Sequence, residues 1–419
     1  MDLERTPLRR RTGLPDISSG GNYGTSEMIR LTKSEKWGEE LGPGRSIFMA
    51  VNTRKEGITL GLEGYQSWVN LLLVFVPVGI LAGLSHWNQT FVFLANFLAI
   101  VPLAMILGKA TEDIAAHTND TVGGLLNATF GNAVELILCI QALRQGELDI
   151  VQATLVGSIL SNLLLVLGCS FLFGGVIFRE QSIKPAVAES NGSILYIAVM
   201  GFLIPTIYGT TSGRTTEGME SLSFFIAVVM LLVYFLFLFF QLVTHASMYE
   251  MNDDDDENDE THEESKVSSV PVATTILLVS CLFVSRCSDY LVESVSSFSS
   301  AVGLNTTFVS LVLLPLVGNA AEHFSAVSVA MKDKMDLSIG IAVGSSIQIA
   351  IFVAPFLVVV SKLAGFSVLT LSFNVFETAM VLLSVMLVNT CLRDLSTNWL
   401  EGVVLLSAYA MVAIATTVL

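Results

Sequence analysis

The chain has 419 residues, 53% of them hydrophobic and 14% charged, with a formal net charge of -16 and a mean hydropathy of +0.69. So apolar and weakly charged a composition excludes an ordinary soluble domain and points to a protein whose solvent is the lipid bilayer. The negative sign of the charge disfavours nucleic-acid binding.

Residues 1–67 are mostly polar, rich in Gly, Ser, Arg and Glu, with no short apolar core near Met1. A cleavable signal peptide is not expected, and the segment reads as a largely disordered N-terminal tail. Apolar windows of the roughly 20 residues needed to cross a hydrocarbon core then follow one another. Spans are expected at 68–87, 91–116, 122–143, 151–178, 191–211, 221–245, 270–299, 306–331, 338–361, 367–390 and 398–419. The fold class is therefore an all-α polytopic membrane protein with eleven transmembrane helices. A cytosolic tail places Arg54, Lys55, Arg179, Lys184, Lys266, Lys332, Lys334 and Arg393 on the cytosolic side, against Arg144, Arg214 and Lys362 opposite. That bias supports a cytosolic N-terminus, and an odd number of crossings puts Leu419 on the far, lumenal side.

Two spans hold a carboxylate where none is expected. "GNAVEL" places Glu135 in a stretch, Val122 to Ala142, with no other charged side chain, and "GNAAEH" places Glu322 and His323 in the apolar stretch from Thr306 to Ala330. The two glutamates are 187 residues apart, and the same shift carries "GS" at 157–158 onto "GS" at 344–345 and the span at 91–116 onto that at 270–299. The chain thus divides into an extra helix at 68–87, a first five-helix repeat at 91–245, an acidic cytosolic linker at 246–269 and a second five-helix repeat at 270–419. Five is odd, so the second repeat enters the membrane inverted. Inverted repeats around a midplane site are the architecture of alternating-access transport.

A charge at mid-membrane costs several kcal/mol on any scale and calls for a partner. Asn132 and Asn319 lie three residues before their glutamates and are expected to share a helix face with them. "GSILSN" and "GSSIQI" add Ser158 and Ser161, matched by the shift to Ser345 and Gln348. Gly123, Gly124, Gly131, Pro315 and Gly318 can loosen the two helices and free backbone carbonyls. Two carboxylates with amides, hydroxyls and carbonyls form an oxygen-only cage suited to a hard divalent cation, and its flexibility suits Ca²⁺ better than Mg²⁺. Cys139, Cys169, Cys281, Cys287 and Cys391 have no metal-ligand spacing and read as small packing residues.

"NATFGNAVELI" with "GSILSNLLLVLG", and "GNAAEHFSAVSVAMKDKMDLSIGIAVGSSIQIA", resemble the paired α-repeats of the calcium/proton exchangers within the calcium/cation antiporter superfamily. The likeness runs from about residue 68 to 419 and is greatest to the fungal vacuolar members. The resemblance implies that Glu135 and Glu322 bind the cation, with Asn132, Asn319, Ser158, Ser161, Ser345, Gln348 and His323 lining the cavity. It also implies exchange of Ca²⁺ for H⁺ across a vacuolar membrane, with Ca²⁺ as substrate, no separate cofactor and no enzymatic activity. His323 and Glu112, the latter in "KATEDIAAH" at the end of the second span, are secondary candidates for the proton path beside the two glutamates.

Between the repeats, "EMNDDDDENDETHEE" holds ten acidic residues in fifteen, including Asp253, Asp254, Asp255, Asp256, Glu257, Asp259 and Glu260. It reads as a solvated linker or, by the resemblance, as a regulatory segment that binds cytosolic calcium. A sodium-coupled exchanger of the same superfamily stays open as an alternative. A channel fits a closed oxygen cage poorly, and no H-E-x-x-H motif supports a hydrolase.

Overall fold

The computed structural model describes residues 69, 71–211, 213, 215–246 and 268–418. The polar tail and the acidic run at 253–260 lie outside the described residues. The described chain is nearly all helix. In order it forms α1 (Leu72–Leu84), α2 (Gln89–Ala115), α3 (Asp120–Phe130), α4 (Ala133–Gln145), α5 (Leu148–Ile177), α6 (Pro185–Thr210) and α7 (Thr216–Thr244). Then follow α8 (Val270–Val302), α9 (Thr306–Gly318), α10 (Ala320–Ala330), α11 (Met335–Ala364), α12 (Val375–Cys391) and α13 (Trp399–Val418). Seven helices among the described residues are long and apolar enough to cross a membrane, or nine if the bent pairs α3–α4 and α9–α10 each count as one span. A two-residue antiparallel pair, β1 (Gln181–Ser182) with β2 (Ser396–Thr397), joins two interhelical loops.

Burial separates the centre from the rim. The most apolar window of α5 is 83% buried and that of α11 67%, whereas α7, α8 and α13 bury only 28%. The exposed apolar side chains of these outer helices, such as Phe225, Leu232 and Leu282, suit a hydrocarbon solvent that does not reward their burial. Around the centre, α2 packs along α8, with Phe93 stacked on Phe298 at 3.9 Å between ring centroids. The short α1 lies against both, its Gly79 facing Asn96 and its Gly83 facing Tyr290.

Backbone regularity fails where the fold can absorb it. α5 contains a π segment at Ser161–Val166 and α11 one at Ile349–Val353. The shift of 187 residues carries the first onto 348–353. π segments displace carbonyls from the ordinary helical ladder and are frequent at functional sites. A third, Val309–Leu313 in α9, lies just before Pro315, whose missing N–H leaves Leu311 O without its helical donor.

One sequence expectation needs correcting. The apolar stretch read as a span from 367 becomes helical only at Val375, where Asn374 Oδ1 accepts from Phe376 N at 2.8 Å. Leu369, Leu371 and Phe373 are buried in a non-helical strap. Its amides donate instead to hydroxyls: Leu369 N to Ser361, Leu371 N to Ser223 and Phe373 N to Thr206, at 3.0 to 3.1 Å. Irregular backbone survives at membrane depth when protein supplies its hydrogen bonds.

Candidate cation-binding site

The two bent pairs meet α5 and α11 at the middle of the bundle. α3 and α4 are bent by 43° and α9 and α10 by 60°. The breaks fall at Gly131–Asn132 and Gly318–Asn319, so each asparagine is the N-cap residue of the half-helix that follows. At a break the cap has left the helical conformation, and its side chain points to a neighbouring helix. Glu135 and Glu322 each fall in the first turn of a half-helix, where the partial positive charge of the free N–H groups favours a carboxylate.

Asn132 is held from the other half of the chain. Its Nδ2 donates to Gln348 Oε1, and its Oδ1 accepts from Ser345 Oγ at 3.0 Å. Ser345 Oγ accepts in turn from Asn162 Nδ2 at 2.9 Å. Asn319 Nδ2 donates to the main-chain oxygen of Ser158 at 3.2 Å. The Glu135 carboxylate lies against Gly318, where a Cβ would fall 2.5 Å from Oε1. Gly318 ends the half-helix before the break and Glu322 sits in the first turn after it, so the Glu135 carboxylate lies at the break that Glu322 follows.

Several buried oxygens here have no hydrogen-bond donor within the protein: both carboxylate oxygens of Glu135, Oε2 of Glu322, Ser158 Oγ, Asn162 Oδ1 and Asn319 Oδ1. Buried acceptors of this kind are costly unless a cation or proton satisfies them. Among the described residues no three His, Cys, Asp or Glu side chains converge. The charged part of the site is the glutamate pair, and the remaining donors are neutral oxygens.

The other expected residues separate. Ser161 is fully buried at the start of the π segment, one residue before Asn162. His323 hydrogen-bonds through Nδ1 to Asn319 O at 2.8 Å, and its buried Nε2 has no protein partner. With Nδ1–H donating to a carbonyl, the neutral ring keeps a lone pair on Nε2. Glu112 is exposed and outside the cage, one helical turn from Gly108, whose Cβ position is 3.8 Å from Ala321 of α10. Its neighbour Asp113 is paired with Lys109 at 3.7 Å. Asn162, which links Ser345 to α5, escaped the sequence reading. Its position four residues after Ser158 on one helix face is the signal that could have found it.

Residues 88–243 and 272–418 match the family described as sodium/calcium exchanger protein, and the chain belongs to that family. A Ca²⁺/H⁺ antiporter of Aphanothece halophytica is 44% identical over 353 residues, 82% of this chain and 94% of that protein. The vacuolar calcium ion transporter of Schizosaccharomyces pombe is 44% identical over 353 residues, 84% of each chain. Among solved structures, native YfkE aligns with a TM-score of 0.72 at 35% identity, covering 84% of this chain and 100% of that one. The H⁺/Ca²⁺ exchanger CAX has the same fold at a TM-score of 0.62 and 13% identity, covering 84% and 92%.

Proposed function

We propose that the protein is a calcium/proton antiporter of a vacuolar membrane, moving Ca²⁺ into an acidic compartment in exchange for H⁺. The observation that carries this reading is the pair Glu135 and Glu322, one from each half, buried and half-buried respectively at the breaks of two bent spans among oxygens without protein donors. Four relatives at 42–44% identity bear calcium/proton antiporter or cation/proton exchanger names, which favours the proton over sodium as the coupling ion. α1 is the extra span. The first inverted five-span repeat runs from α2 to α7, with α3–α4 as one broken span, and the second from α8 to α13, with α9–α10 as one. The shared shift of the helix breaks and of two π segments supports that arrangement. The N-terminus is cytosolic and the C-terminus lumenal.

Glu135 and Glu322, helped by the oxygens of Asn132, Asn319, Ser158, Ser345 and Gln348, replace the hydration shell of Ca²⁺. Calcium binds when both carboxylates are ionised. After release, protons neutralise the pair, and the neutral site crosses back through the membrane. Because proton and calcium compete for the same oxygens, calcium affinity rises with pH. His323 Nε2 and Glu112 lie on the proton route as accessory acceptors, and the acidic run at 253–260 tunes exchange from outside the membrane.

The test is uptake of radiolabelled calcium into proteoliposomes holding the purified protein. An acid interior should drive uptake, and an ionophore that collapses the pH gradient should stop it. Uptake that survives the collapse and follows an imposed sodium gradient would assign the wrong coupling ion.

A further inference from the structure

α5 and α11 are counterparts under the shift of 187 residues, yet one face of each is packed differently. On α11, Leu337, Gly340, Ile341, Gly344 and Gln348 form an exposed or half-exposed stripe that leads down to the cation site. Their counterparts on α5, namely Ile150, Ala153, Thr154, Gly157 and Ser161, are all buried. Leu337 is 38% exposed against 3% for Ile150. A Cβ on Gly344 or Gly340 would meet nothing within 4 Å, whereas one on Gly157 would fall 2.0 Å from Leu311 O and 2.7 Å from Pro315 Cγ. The face of α5 is closed because α9 lies on it with main chain against main chain.

The helix that corresponds to α9 is α3. It packs on α2 and the end of α7 rather than on α11. Leu125 of α3 is 45% exposed where its counterpart in α9, Val312, is 6%. Gly124 is the counterpart of Leu311. Both partners of the missing contact are thus present: Gly344 faces open space and Leu125 is exposed, while the Cβ side of Gly124 lies against Leu242 of α7, a packing that α3 leaves when it closes.

We propose that Gly344 is the gate residue of the reaction: when the site opens to the opposite side, α3 closes on α11 and the main chain at Gly124 comes against Gly344. The contact is the one that Gly157 and Leu311 make in this structure. Closure on one side and release on the other exchange a single kind of contact between two equivalent places. At Gly344 the absence of a side chain is needed in a state other than the one described here. The neighbouring Gly340 is not under that constraint, since its counterpart Ala153 is buried with its methyl in place. This inference rests on the alternating-access reading above.

The experiment compares Gly344→Ala and Gly340→Ala by two readouts: calcium binding to the detergent-purified chain by calorimetry, and proton-driven calcium uptake in proteoliposomes. Both methyl groups enter open space here, so both variants should fold and bind calcium as the unsubstituted protein does. Forcing a methyl into a main-chain contact typically costs 1–3 kcal/mol, so Gly344→Ala should lose roughly tenfold or more of its uptake rate. Gly340→Ala should stay within about twofold, as volume changes in open space are tolerated. Three results would overturn the proposal: normal uptake by Gly344→Ala, loss of calcium binding along with uptake, or an equal loss in Gly340→Ala. Failure of the unsubstituted chain to exchange calcium for protons would instead break the exchange reading, and that control is scored before either variant.

Discussion

Glu135 and Glu322 occupy matching positions in two matching sequences, and the structure treats them differently. Glu135 is buried with both oxygens lacking donors and its carboxylate against Gly318. Glu322 is half-buried with one such oxygen, and the helix it begins, α10, stays half-exposed along most of its length. In the first bent pair the packed half follows the break, and in the second it precedes it. In the inverted-repeat arrangement proposed above, these packed halves fall on the same side of the membrane. On that proposal the difference between the glutamates belongs to the conformational state, sealed on one side and reachable from the other, and their chemical roles are equivalent.

The hardest way to break the comparison is to remove one charge at a time. Glu135→Gln and Glu322→Gln should each abolish exchange, with a loss of about 100-fold or more, since a divalent cation then faces one carboxylate in a poorly solvated cavity. Uptake by proteoliposomes checks it, and a partly active variant of either kind would mean that the glutamates belong to separate sites. Next in size is Gly318→Ala. The added methyl would push against Glu135 in the packed half, and uptake should drop roughly tenfold through weaker calcium binding, measured as a raised half-saturating concentration.

Smaller effects sharpen the picture. Ser345→Ala cuts the chain of hydrogen bonds from Asn162 to Asn132. Losing a buried hydrogen bond of this kind costs about 1 kcal/mol, so calcium affinity should weaken about fivefold with the fold intact. Smallest in maximal rate is replacement of the acids at 253–260 by Asn and Gln, which should shift the calcium dependence of uptake while leaving exchange in place. Complete loss in a correctly inserted variant would contradict a tuning role.

How far these features could be read without coordinates depends on the physics behind each. Glu135 and Glu322 stand out because a charge in an apolar run has no cheap explanation, and their spacing exposes the duplication. The breaks at Gly131 and Gly318 were half legible: glycine loosens a helix, but only packing decides that Asn132 becomes a cap and turns toward α11. The Ser158 hydroxyl is legible from the motif, but not the grip of Asn319 on its main-chain oxygen, which depends on how α5 and the second bent pair pack. Asn162 was invisible to an argument built on the repeat, because its counterpart is Ile349. The strap before Val375 is apolar enough to pass for a membrane span, and nothing local reveals that three serine and threonine hydroxyls on other helices hold its amides.

The central claim is that one glutamate from each half shares a single calcium ion, and that the pair releases its protons to solvent when the ion binds. Calorimetric titration of the purified chain with calcium, in two buffers of different ionisation heat near neutral pH, counts ions bound and protons released together. The account predicts one calcium per chain at this site, bound with net proton release, and the loss of both on substituting either glutamate by glutamine. Calcium binding that releases no protons, or that persists unchanged in Glu135→Gln or Glu322→Gln, would contradict it.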